Sequence, residues 1–212
     1  MAATTVLVLG ATGGTGRHVV ARALQQGYHV TALVRDGRKL AVTSDRLRVL
    51  AGNMMLDDEV LDDAVRGQDA VISTLGVGQS FASGGLIAGS TPRLIRAMEN
   101  LGVRRLIFTA AFGVGETMRD VPLVPCLFIR TLLRDVYRDK NAGDAAIRRS
   151  ELDWTIVYPT GLTDGPATER YRIGERLTLG GFPRIARADV ADFLVKQVEG
   201  EMYVRKGVLI SS

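Results

Sequence analysis

Four apolar residues, Val6-Leu-Val-Leu, run straight into Gly10-Ala-Thr-Gly13-Gly14-Thr-Gly16 and then into helical spacing from Arg17 onward. A buried strand that ends in a glycine turn and re-emerges as a helix leaves few folds open, because the helix must return over the sheet to a parallel strand. The expected helix covers residues 17–26, with Val20, Ala23 and Leu24 on one face and Gly27 as a left-handed stop. A second strand, His29–Val34, closes the unit within about 30 residues. Glycines at such a turn let backbone approach a pyrophosphate, whose charge is met by free N–H groups at the helix N-terminus. The spacing is G-x-x-G-x-x-G rather than G-x-G-x-x-G, so the strand-turn-helix-strand context, and not the glycines alone, reads as a dinucleotide site.

The same alternation continues along the chain. Leu47–Ala51, residues 69–75, Arg105–Thr109, residues 154–158 and residues 208–210 read as further strands. Asp57, Asp58 and Glu59 open a helix at the end where acids are favoured; Val60, Leu61, Ala64 and Val65 form its apolar face and Gly67 ends it. Ile87, Leu94, Ile95, Met98 and Leu101 mark another helix, and residues 189–198 a late one. The implied class is α/β, a Rossmann-type doubly wound, mostly parallel sheet with helices on both faces. With 212 residues, 46% of them hydrophobic, a single domain over 1–212 is expected. Two stretches lack periodicity, 111–126 with Pro122 and Pro125, and 160–187 with Pro166 and Pro183. Both leave from carboxyl ends of strands, where open α/β sheets bind ligands, and are expected to wall a substrate pocket.

Composition removes several classes. Cys126 stands alone, so no internal disulfide forms, and the lack of a CxxC pair or Cys/His cluster means no metal is expected. No apolar run approaches the ~20 residues of a membrane span, and residues 1–5 carry no basic leader. A net charge of +4 is too small to point to nucleic acid. The expectation is a cytoplasmic protein that meets a small-molecule substrate, with neither membrane nor nucleic acid as partner; nothing sets its oligomeric state.

The second strand bears on the cofactor. Where an acid would hold the ribose 2′-OH of NAD, this chain has Arg35, then Arg38 and Lys39. An arginine fork grips a 2′-phosphate that a carboxylate would repel, which favours NADP (NADPH). The competing reading is a solvated basic turn, since Asp36 stands beside Arg35.

Six segments together resemble an atypical short-chain dehydrogenase/reductase of the NmrA-like branch, and within it the biliverdin reductase B (flavin reductase) group. They are Gly10-Ala-Thr-Gly-Gly-Thr-Gly16, Leu33-Val-Arg-Asp36, Gly67-Gln-Asp-Ala-Val-Ile72, Thr109-Ala-Ala-Phe112, Leu152-Asp-Trp-Thr-Ile-Val157 and Arg187-Ala-Asp-Val-Ala-Asp192. The resemblance implies a sheet that binds NADPH and delivers hydride to a flat conjugated acceptor such as a flavin, tetrapyrrole or quinone. It implies that Gly10, Thr12, Gly13, Gly14, Thr15 and Gly16 line the pyrophosphate, Arg35 and Arg38 the 2′-phosphate, and Asn53 and Met54 the adenine. Leu75 and Gly76 would flank the middle of the cofactor, with Thr109, Ala110 and Tyr158-Pro159-Thr160 around the nicotinamide. The chain departs from the family in having Ala110 where a serine follows the threonine, and Asn53 in place of an acid.

Carbonyl-reducing relatives use Tyr and Lys four residues apart; here Tyr137 and Lys140 are three apart, with Val136 where the tyrosine would stand. Tyr137 and Lys140 still share a helix face and are the catalytic candidates. The competing reading is a surface helix on which Arg130, Arg134 and Arg138 recur every four residues. Three functions follow: an NADPH-dependent reductase of flat acceptors, an NADP-sensing regulatory protein without turnover, or a biosynthetic enzyme using the fold for a specialised or non-redox step.

Overall fold

The computed structural model describes residues 3–76, 78 and 82–212. Its elements are β1 (Thr5–Leu9), α1 (Gly16–Gln25), β2 (His29–Val34), β3 (Leu47–Ala51), α2 (Asp58–Val65), β4 (Ala70–Ser73), α3 (Leu86–Leu101), β5 (Arg105–Thr109), α4 (Leu123–Thr131), α5 (Arg134–Arg149), β6 (Asp153–Pro159), β7 (Gly161–Thr163), β8 (Arg172–Gly174), β9 (Arg184–Ala186), α6 (Arg187–Lys196) and β10 (Lys206–Ser211). The main sheet has eight strands in the order β3-β2-β1-β4-β5-β6-β10-β8, parallel except for β8, which runs against β10. β7 and β9 form a separate parallel pair. Strand order reverses between β1 and β4, so the crevice at their carboxyl ends is where this architecture receives a ligand.

Alternation along the strands sends successive side chains to opposite faces. Leu7, Leu9, Leu106 and Phe108 pack with Leu61 of α2, Leu94 and Met98 of α3, and Ile147 of α5. Val6, Val8, Ile72 and Ile107 pack with Val20 and Ala23 of α1 and with Val190 and Leu194 of α6. Both faces are covered, which is why the strands read as unbroken apolar runs. Gly27 and Gly67 take the left-handed conformation, at φ +87° and +72°, and Asp57 caps α2 by accepting from the Val60 N–H at 3.0 Å.

Several boundaries differ from the sequence reading. β4 stops at Ser73, and Thr74 instead turns its N–H to the Leu9 carbonyl at 2.9 Å, which begins the turn over β1. The last helix starts at Arg187. The aperiodic stretches carry regular structure: a 3₁₀ turn over Gly115–Asp120 and the start of α4 in the first, β7 to β9 in the second. Arg130, Arg134 and Arg138 do not share one helix, because Arg130 lies on α4 and the other two on α5.

The 160–187 stretch is tied down from α6. Asp189 accepts from the Thr168 N–H at 2.8 Å, the Glu169 N–H at 2.8 Å and the Thr168 hydroxyl at 2.9 Å. Asp192 accepts from the Tyr171 phenol at 2.6 Å and Lys196 at 2.6 Å, and pairs with Arg22 of α1 at 2.8 Å. Burial alone would raise the Asp192 carboxyl, but the Lys196 and Tyr171 hydrogen bonds and the nearby cations hold it below the usual aspartate range. Among the described residues, no helix is long and apolar enough to cross a membrane.

Candidate dinucleotide and reaction site

The glycines of the first turn have different physical reasons. Gly10 adopts φ +78°, and a Cβ there would come within 2.8 Å of the Thr74 carbonyl oxygen. At Gly16 a Cβ would lie 2.1 Å from the Gly10 carbonyl oxygen. These two are demanded by chain packing. Gly13 is exposed, and a Cβ there would meet only the Gly10 carbonyl, at 3.1 Å, so a larger side chain would project into the space above the turn. At Gly14 that space is filled by Arg187, whose Nε would lie 2.8 Å from an added Cβ.

The N-terminus of α1 has no side-chain cap and no acid in its first turn, so its positive end is open to an anion. Thr12 is exposed beside Gly13, and Thr15 is buried at the N-cap. An open backbone cradle at the switch point, with no acid in the first turn of the helix, fits a diphosphate.

At the end of β2 the two arginines differ. Arg38 grips Asp36 with both arms of its fork, at 3.0 and 3.2 Å, and that contact lowers the Asp36 carboxyl pKa. Arg35 is exposed and takes no hydrogen bond or ion pair among the described residues. The basic turn is thus half neutralised, with Arg35 as its available cation. Asn53 folds its amide oxygen onto the Met55 N–H at 3.1 Å, and Met54 is buried against the core. Leu75 and Gly76 follow Thr74, the residue that packs against Gly10, and a Cβ on Gly76 would meet nothing within 4 Å.

Around the carboxyl end of β5, α5 contributes a polar stripe. The Tyr137 phenol donates to the Phe112 carbonyl at 3.1 Å, and the Lys140 ammonium to the Ala110 carbonyl at 3.4 Å. Burial pushes the Tyr137 phenol pKa up. It pushes the Lys140 ammonium down, against the opposing charge of Asp139. The structure therefore brings Tyr137 and Lys140 to the Ala110–Phe112 backbone, with Thr109 next to Ala110 in the chain. Thr109 is 8% exposed, and its hydroxyl has no hydrogen-bond partner among the described residues, a buried polar group of the kind a ligand satisfies.

The Tyr158 phenol and the Thr160 hydroxyl have protein partners of their own. The Tyr158 phenol hydrogen-bonds to Asp144 and accepts from Arg148 at 2.9 Å. Burial raises its pKa first, and the Asp144 charge adds to that. Thr160 directs its hydroxyl to Ser211 at 3.2 Å, while the Pro159 carbonyl accepts from the Phe112 N–H at 3.0 Å. Glu116, Thr117 and Arg119 from one aperiodic stretch and Glu175 and Arg176 from the other line a cavity of about 380 Å³ with Arg148 and Tyr158.

Sequence reading passed over Thr74, Asp139, Asp144, Arg148 and Arg187. Asp139 accepts from the Ile87 and Ala88 N–H groups at 3.0 and 2.7 Å and so caps α3 from another helix. Lys140, Asp144 and Arg148 recur every four residues, a signal that α5 carries its polar face inward; Thr74 and Arg187 give no local signal.

A family model described as NAD(P)H-binding matches residues 10–201. The photosystem II assembly factor Ycf39 of Synechocystis is 28% identical over 95% of this chain and 60% of its own length. Oxidoreductase stcQ of Emericella nidulans is 30% identical over 76% of this chain and 66% of its own. The chain thus spans about two thirds or less of these curated relatives. The solved structure of ChuY, an anaerobillin reductase from Escherichia coli O157:H7, superposes with a TM-score of 0.81 at 24% identity, covering 98% of this chain and 96% of that one; this likeness speaks to the fold. With the match reaching from the glycine turn through α6, the chain belongs to the NAD(P)H-binding family.

Proposed function

We propose that this protein uses NADPH to reduce a flat conjugated acceptor, a flavin, tetrapyrrole or quinone, as the resemblance to the biliverdin reductase B group implies. The observation that carries the reading is the state of the two polar groups beside β5. Tyr137 and Lys140 are both bound to backbone carbonyls, and Ala110 offers no hydroxyl, so neither of the two candidate acids is free to donate in this state. An acceptor that draws its proton from solvent needs none. Bound NADPH supplies the hydride, and the protein supplies binding and orientation.

In this reading the turn from Gly10 to Gly16 holds the diphosphate on backbone and helix N–H groups. Arg35 meets the 2′-phosphate while Arg38 keeps Asp36 neutralised. Asn53 and Met54 border the adenine, Leu75 and Gly76 the middle of the cofactor. The free Thr109 hydroxyl orients the nicotinamide, and Lys140 fixes the backbone at Ala110 on which that orientation depends. That the 30% identical relative stcQ is an oxidoreductase supports the same class. NADPH consumption with FMN, riboflavin, biliverdin and a quinone tests it.

The occupied state of Tyr137 and Lys140 also favours a second reading, a dinucleotide-sensing protein without turnover. Tight NADPH binding with no consumption by any acceptor would select it.

A further inference from the structure

Arg187 opens α6, yet its side chain leaves that helix and lies across the glycine turn. A Cβ on Gly14 would fall 2.8 Å from Nε and 2.9 Å from Cδ, so the two meet only because residue 14 has no side chain. Nη1 is tied to the Asp164 carboxylate at 2.8 Å. Asp164 is 79% exposed and Arg187 is 25% exposed. Among the described residues the guanidinium has no further hydrogen-bond or ion-pair partner. An exposed ion pair contributes little to folding, so stability alone gives no reason to hold a cation over this turn. Gly14 thereby gains a reason distinct from its neighbours: Gly10 and Gly16 admit backbone, whereas Gly14 admits an arginine.

We propose that Arg187 is a direct contact to the cofactor diphosphate, closing over the turn from α6 while the N–H groups of α1 meet the anion from the other side. Asp164 is its positioning residue: it holds Nη1 and leaves Nε, the guanidinium atom nearest Gly14, over the turn. The proposal rests on the dinucleotide reading of the turn. It differs from Arg35 in consequence, because the diphosphate is common to NADH and NADPH and the 2′-phosphate is not.

The test titrates NADPH, NADH and 2′-AMP, which has the 2′-phosphate but no diphosphate, into wild type, Arg187→Gln, Arg187→Lys, Gly14→Ala and Asp164→Asn, with thermal melting as the folding control. Arg187→Gln should weaken NADPH and NADH by the same factor, about tenfold or more, and leave 2′-AMP unchanged. Arg187→Lys should recover part of that loss. Gly14→Ala should reproduce the loss by displacing the guanidinium, and Asp164→Asn should give a smaller loss on the same two ligands. Folded Arg187→Gln protein that binds both dinucleotides as wild type does overturns the inference alone, as does a loss that extends equally to 2′-AMP. Wild-type protein that binds neither dinucleotide overturns the cofactor reading and the inference with it.

Discussion

Replacing Arg35 with alanine should convert a selective NADPH binder into one that barely distinguishes NADPH from NADH. Arg35 stands at the end of β2, exposed and without an internal partner among the described residues, so its whole fork is available to a phosphate. A hydrogen bond to a charged group contributes about 1.5–3 kcal/mol. Solvent around Arg35 argues for the lower part of that range, about 1.5–2 kcal/mol, which is roughly 10- to 30-fold in NADPH affinity. The loss should shrink in high salt, since an exposed contact is screened over about 8 Å at physiological ionic strength.

Arg38 should behave differently, because its fork already holds Asp36. Arg38→Ala frees a carboxylate to repel the 2′-phosphate and should weaken NADPH a few-fold; adding Asp36→Asn should restore it. Calorimetric titration of both cofactors reads all of this. Equal affinity of wild type for NADH and NADPH, or an Arg35→Ala loss shared equally by both, would refute the reasoning.

Gly13→Val should leave a folded domain that no longer binds dinucleotide, whereas Gly10→Ala, at φ +78° against the Thr74 carbonyl, should destabilise the fold itself by about 1–3 kcal/mol; melting and titration separate the two. Tyr137→Phe should keep most of the turnover, because the phenol is bound to the Phe112 carbonyl; a loss of about 10²-fold or more would make it a general acid. Asp192→Asn should lower the melting temperature at neutral pH. The carboxyl titrates below its unfolded range, so its stabilisation is present above about pH 4 and is lost as pH falls through the lower folded pKa. The gap between wild type and variant should therefore close in acid.

The first half of the fold was legible because its signals are local. A strand, a glycine turn, a helix and Gly27 follow within one βαβ unit, and each can be read from neighbours in the chain. β7, β8 and β9 were not legible, since a three-residue strand has no period and exists only through its pairing with a distant segment. The break between α4 and α5 was hidden by arginines spaced as if on one helix. At the site, the turn and Arg35 were visible in sequence. The difference between Arg35 and Arg38 was not, because it depends on which side chain Asp36 chooses. Tyr158 reads as a site residue by position, but its phenol is claimed by Asp144 and Arg148 from α5. Arg187 opens one of the segments that carry the family resemblance, but no role for it could be read there, because its partner, Gly14, lies at the other end of the chain.

The most direct test mixes wild-type protein, pre-bound to NADPH, with FMN, riboflavin, biliverdin or a quinone and follows the loss of reduced nicotinamide absorbance. The account predicts consumption faster than in buffer with at least one acceptor, abolished by Gly13→Val and largely retained by Tyr137→Phe. NADPH that binds but is consumed by none of them faster than in buffer would contradict it.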